Sequence, residues 1–242
     1  MRYELYYWPH IPGRGEFVRL ALEDAGVDYV DVARGPEKEG LGIPALRRFL
    51  EDASVALPPY APPFLKAGEQ IIGQTANILQ FLGAHHGLAP NDEAGRLWTH
   101  QLQLTVADFV DEAHDTHHPL GSHLYYEDQK PEALRRARSF IELRMPKYLG
   151  YFERVLERNP ARSGWLVGDA LTYADTSLFQ VVEGLRYAFP RAMQQAEPKH
   201  ARVVKLHDAV AARPRLAAYL ASPRRIPFNE KGLYRRYPEL DA

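Results

Sequence analysis

The feature that most restricts this chain is the point at which its alternation of strand and helix patterns ends. Before "HHGLAPNDEAG" the two patterns take turns; after it only helical periodicity remains. "RYELYYW" alternates and is rich in aromatics, as a short strand is. From Arg14 the apolar residues Phe17, Val18, Ala21, Leu22 and Ala25 recur at helical spacing, and Gly26 stands where a helix is capped. "VDYVDVA" reads as a second strand and "IPALRRFLED" as a short helix, with Pro44 in a first turn where a missing N–H costs little. "LPPYAPPFLKAGEQIIGQTANILQFLGAHHG" then supplies a proline-punctuated lead, a strand at 63–65, a turn at 67–68, a strand at 70–72 and a helix that Gly87 stops. Downstream, helical stretches fall at 94–116, 132–158, 174–189, 201–212 and 215–221. The expectation is an α/β domain over residues 1–86, a short loop, and an all-α domain over 93–242 whose aromatic-studded tail either docks or frays.

At 242 residues the chain is long enough for two such units. Its 30 basic and 31 acidic residues leave a formal net charge of -1, so no electrostatic footprint for nucleic acid or an anionic membrane is expected. Cysteine is absent, which excludes disulfides, thiolate metal sites and a cysteine nucleophile. Thiol chemistry here would need a thiol from outside. With no secretory signal pattern and no apolar run of membrane-spanning length, a soluble, cytoplasmic protein is expected.

The order β-α-β-α-β-β-α is thioredoxin-like. Four stretches placed along it resemble the cytosolic glutathione transferases of the tyrosine type, the alpha, mu, pi and sigma classes. The first is "LYYWPHIPGRGEFVRL". Strand alternation puts Leu5 and Tyr7 on one face and Tyr6 on the other, and the family pattern Leu-x-Tyr-aromatic selects Tyr7 as the catalytic group. A phenol facing a thiol donates to the thiolate and less to the thiol, which lowers the thiol pKa. Trp8, His10 and Arg14 are assigned by the same resemblance to the second-substrate side, in a turn about one residue longer than the family's. The plain alternative is that Tyr6, Tyr7 and Trp8 only pack the sheet.

In the second stretch, "YAPPFL", Pro62 is expected to be the family's cis-proline and Ala61 to pair through its backbone with the cysteinyl part of glutathione. Gln74 and Thr75 in "IIGQTANIL" match a Gln-Ser pair at a helix start, where free N–H groups favour the γ-glutamyl carboxylate; the alternative for Thr75 is a simple helix cap. "GDALTYADTSLFQ" carries a capping-box variant, Thr172 with Asp175, whose role is folding.

Asp108 is expected to reach a neighbouring subunit's glutathione amino group, with Leu97, Gln101 and Leu104 on its helical face; a solvated charge is the alternative. His114, His117 and His118 have the spacing of metal ligands, but there is no HExxH pattern and the family needs no metal. None is expected here, and His114 and His118 are assigned to the pocket of a polar electrophile, with a surface cluster as the alternative. The loop "ARGPEKEGLGIPALRR" lacks the family's tryptophan, and Lys38, Arg47 and Arg48 stay unassigned.

The resemblance implies a homodimeric transferase that takes glutathione as co-substrate and conjugates it to small hydrophobic electrophiles, a detoxification chemistry. Glutathione-dependent isomerisation or peroxide reduction on the same fold, and a non-catalytic scaffold, are the alternatives.

Overall fold

The structure, a computed structural model, describes residues 2–241. One mixed sheet has the strand order β2-β1-β3-β4. Strand β1 (Tyr3–Tyr6) runs parallel to β2 (Tyr29–Asp31) and antiparallel to β3 (Phe64–Ala67), and β4 (Gln70–Gly73) pairs antiparallel with β3. Side-chain alternation along β1 divides the core in two. Tyr3 and Leu5 join Phe17, Leu20 and Leu22 of helix α1 (Gly15–Ala25) and Ile78, Leu79 and Leu82 of helix α3 (Thr75–His86). Tyr6 points the other way, stacked on Phe64 at 4.5 Å and packed with Leu46 of helix α2 (Gly42–Glu51). The N-terminal half is thus a thioredoxin-like β/α domain.

Among the described residues seven α-helices follow: α4 (Glu93–His114), α5 (Lys130–Ser139), α6 (Met145–Arg158), α7 (Tyr173–Ala188), α8 (Pro190–Ala196), α9 (Ala201–Ala211) and α10 (Pro214–Leu220). Helix α7 is the axis of this all-helical half, buried through most of its length. Its start is fixed by Asp175, whose carboxylate accepts from the Thr172 amide (2.7 Å), the Thr172 hydroxyl (2.7 Å) and the Leu166 amide (2.8 Å). Burial pushes this carboxyl up to about 6, against the pull of those hydrogen bonds.

Two features differ from the sequence expectation. The stretch 132–158 is not one regular helix: a π-helical turn, Phe140–Arg144, joins α5 to α6. Pro146 follows it and has no N–H for the regular ladder, and a one-residue widening carries the helix past the ring. Helix α8 is additional, because its start is capped from a distance: Asp241 accepts from the amides of Arg191 (2.8 Å) and Ala192 (3.0 Å). Those bonds also show that the tail docks, with Leu240 and Asp241 buried.

Helix α1 is tied to the C-terminal half by a buried polar network. Arg19, fully buried, donates to Asp31 (2.7 Å) and Glu16 (3.2 Å); Glu16 in turn accepts from the Tyr219 hydroxyl (2.6 Å) and pairs with Arg225. Removing one member of such a network strands the others without solvent, so it fixes the angle between the halves.

Candidate active site

A cleft of about 600 Å³ lies between the sheet domain and α4. Arg14, Phe17, Ala61, Pro62, Gln74 and Thr75 form one wall; His100, Gln103, Leu104, Ala107 and Asp111 form the other.

Tyr7 sits behind the first wall, 5% exposed. The turn through Pro12 and Gly13 wraps its ring. Gly13 has φ +47°, and a Cβ there would lie 2.0 Å from the Tyr7 Oη; one on Gly15 would lie 2.5 Å from the ring. Two glycines are therefore the condition for the phenol's position. The Arg14 amide donates to the Tyr7 Oη at 2.9 Å. This bond occupies one lone pair and leaves the O–H free to donate elsewhere. Burial raises the phenol's pKa; the Arg14 amide and the charges of Arg14 and Arg19 pull it down, with burial dominant. The group stays a protonated donor at neutral pH. Tyr6 has no such freedom, because its hydroxyl donates to Glu4 at 2.7 Å on the opposite face of the sheet.

The start of α3 supplies a second feature. Gln74 takes φ 67°, ψ 122°, a conformation that costs a non-glycine residue energy and turns the chain into the helix. It makes no side-chain cap, and Thr75 is the first helical residue rather than the cap itself. The Thr75 hydroxyl is buried without a partner among the described residues. An unpaired hydroxyl beside the open N–H groups of a helix start is a ready site for an anion. Two more unpartnered polar atoms, His100 Nδ1 and Gln103 Oε1, belong to residues on the facing wall. Burial lowers the His100 pKa, so that ring is neutral.

Not every expected residue reaches the cleft. The cis bond joins Pro62 to Pro63, so the cis-proline is Pro63, one residue later than expected. The closely spaced Pro58, Pro59, Pro62 and Pro63 gave the sequence no means to choose. Ala61 and Pro62 both line the cleft, and Pro62 has a carbonyl but no N–H to present to an added strand. Asp108 is exposed on the adjacent stripe of α4, and the stripe that faces the cleft is the one through His100, Gln103, Ala107 and Asp111. That i, i+3, i+7, i+11 spacing is present in the sequence, but it carries no uniform signature, because it mixes a histidine, an amide, a methyl and a carboxylate. Arg14 is held across the cleft by Asp111. Trp8 and His10 are exposed beyond the cleft's lining, and the His10 carbonyl accepts from Asn229 at 2.9 Å. His114 and His118 lie just past the Asp111 end of the cleft, beneath the tail.

Residues 114–223 match the family described as "Glutathione S-transferase, C-terminal domain". A glutathione S-transferase of Plasmodium yoelii yoelii is 23% identical over 211 residues, 87% of this chain and 89% of that one. Glutathione S-transferase P 1 of Xenopus laevis is 28% identical over 229 residues, 92% and 93% of the two chains. Among solved structures, prostaglandin synthase D of Nilaparvata lugens superposes with a TM-score of 0.70 at 20% identity, over 94% of this chain and all of that one. The relatives of this chain are cytosolic glutathione S-transferases, pi-class-like and of the tyrosine type, and its C-terminal half matches that family's C-terminal domain.

Proposed function

We propose that this protein conjugates the thiolate of glutathione to small hydrophobic electrophiles, with Tyr7 as the group that stabilises the thiolate. The observation that carries this is the Tyr7 hydroxyl: the Arg14 amide fills its acceptor side at 2.9 Å, burial keeps it protonated, and its O–H is left without an acceptor among the described residues. An ordinary thiol of pKa about 8.5 is only a few per cent ionised at neutral pH; a donor that lowers it by about two units raises the reactive fraction roughly 10- to 30-fold. The thiolate attacks an electrophilic carbon, a thioether forms, and the leaving group departs with the displaced electron pair. Gln74, Thr75 and the open N–H groups of α3 receive the γ-glutamyl carboxylate, and Ala61 and Pro62 flank the cysteinyl backbone. Trp8, His10, His114 and His118 border the side from which the electrophile enters.

Asp108 acts only in a dimer. Its exposed stripe carries Leu97 at 62% and Leu104 at 49% exposure, apolar surface that a second copy would cover. A stable monomer by light scattering at micromolar concentration would remove both the dimer and this role.

A second activity, glutathione-dependent isomerisation, uses the same thiolate and is favoured by the structural likeness to prostaglandin synthase D of Nilaparvata lugens. Tyr7→Phe tests the thiolate in either case. It keeps the ring and deletes the donor, and Tyr6→Phe makes the same change on the other face. The expected result is that Tyr7→Phe alone raises the pKa of the bound thiol, followed by thiolate ultraviolet absorbance, and lowers conjugation at neutral pH about ten- to a hundredfold. Overlaid titrations of Tyr7→Phe and wild type would sink the assignment.

A further inference from the structure

Helix α4 ends in a cluster that the thiolate chemistry does not use. His114 closes the helix, His117 and His118 follow in the next turn, and the tail covers them. Their rings touch in every pairing, with centroids 4.9 Å (His114–His117), 5.5 Å (His114–His118) and 4.7 Å (His117–His118) apart. His117 and His118 are 1% and 6% exposed. One ligand nitrogen of each ring lies within 4.8 Å of the others.

The tautomer of His117 is fixed from outside the cluster. Its Nε2–H donates to the Leu233 carbonyl at 2.8 Å, which leaves the Nδ1 lone pair facing inward. That nitrogen stands 2.5 Å from His118 Nδ1. Two imidazole nitrogens meet this closely only across a shared proton, and an ion held by both would part them to roughly 3.4 Å. Asp115 holds His114 from the solvent side at 3.4 Å. A carbonyl on one ring and a carboxylate on another are the outer partners that orient histidine ligands. The charges nearby are mixed: Arg235 opposes a cation, and Asp115 and Glu127 favour one.

We propose that His114, His117 and His118 form a three-histidine site for a divalent transition cation of the zinc, cobalt or nickel class, with a further coordination position open to water. Nitrogen donors select this class over calcium or magnesium. Ligands at about 2.0–2.1 Å on a tetrahedral ion sit roughly 3.4 Å apart, inside the present spread of nitrogen separations, so small side-chain rotations suffice.

The test is direct binding to the untagged, chelator-treated full chain, with conjugation left out of the readout. Cobalt(II) is titrated and followed by calorimetry and by the visible absorption that low-coordinate cobalt acquires. The expected result is about one ion per chain, with affinity at least tenfold weaker in His114→Gln and in His118→Gln. His114 is partly exposed, so its variant keeps the fold, and near-ultraviolet circular dichroism checks both. The control His85→Gln/His86→Gln, on α3, should bind as wild type does. Absence of binding to wild type, unchanged affinity in both cluster variants, or loss in the α3 control would each overturn the proposal; the first of these leaves a proton shared between His117 and His118 as the full account of the cluster.

Discussion

The two walls of the cleft are made of different material. The sheet-domain wall is backbone: the Arg14 amide behind Tyr7, the proline-rich lead into β3, the strained Gln74 and the open N–H groups of α3. The α4 wall is side chains set on a regular helix, where His100, Gln103, Leu104, Ala107 and Asp111 each project independently. A backbone wall fails as a unit when its path is disturbed and ignores most side-chain changes. A side-chain wall changes one residue at a time. The first material suits a constant co-substrate, and the second suits whatever distinguishes one family member from another.

The largest effect should follow from disturbing the backbone wall at Gly13. With φ at +47° and the Tyr7 Oη 2.0 Å from where a Cβ would stand, Gly13→Ala must move either the turn or the phenol. Conjugation is expected to fall by about ten- to a hundredfold, the scale of losing one pre-placed donor. Ala107→Ser on the facing wall, adding one oxygen beside the same cleft, should stay within about threefold, the scale of a single hydrogen bond at most. Steady-state kinetics at saturating glutathione, on protein whose circular dichroism is unchanged, decides it; comparable losses in the two variants would erase the distinction between the walls.

The same difference in material explains what the sequence could show. Turns and helix starts leave short local signatures, so Tyr7, Gln74, Thr75 and the Thr172–Asp175 cap stood out as residues, and the strand–helix order gave the fold. What depends on contacts far along the chain left none. Asp241 caps α8 from 50 positions away, and nothing near Pro190 announces it. The rotation of α4 that turns Asp111 inward and Asp108 outward is set by packing against α3 and α7, not by the helix's own sequence. Within "PPYAPP" any of several prolines satisfied the local pattern, and only the path of β3 selects Pro63.

A smaller effect is expected from the anion site. Thr75→Ala removes a hydroxyl that has no protein partner and lies beside the open end of α3. A donor to a charged group contributes about 1.5–3 kcal/mol, so the dissociation constant for glutathione should rise about tenfold or more, with the fold intact. Gln103→Met removes the orphaned Oε1 from the other wall and should cost less, because no helix dipole reinforces it. Calorimetry on both variants gives the order directly. If Gln103→Met weakens binding more than Thr75→Ala does, α4 and not α3 is the wall that grips the co-substrate.

The smallest effect should come from an ion pair that joins the walls. Arg14 and Asp111 face each other across the cleft with side chains 41% and 63% exposed, and pairs this open contribute about 0–1 kcal/mol, less as salt rises. Stability of Asp111→Asn should therefore change by under about 1 kcal/mol. The bound thiol offers a finer gauge, and its sign is fixed by charge. Arg14 favours the thiolate, Asp111 opposes it, and deleting the carboxylate leaves the guanidinium's field less cancelled at the sulfur. The thiol pKa should fall by a few tenths of a unit, on the order of the coupling through exposed charges, and the shift should shrink between about 0.05 and 0.5 M salt as screening shortens. A rise instead of a fall would mean that Asp111 holds Arg14 in the position from which it acts, so that freeing the side chain lets it swing away from the sulfur. The ion pair would then belong to the backbone wall's fixed geometry and not to the adjustable face of α4.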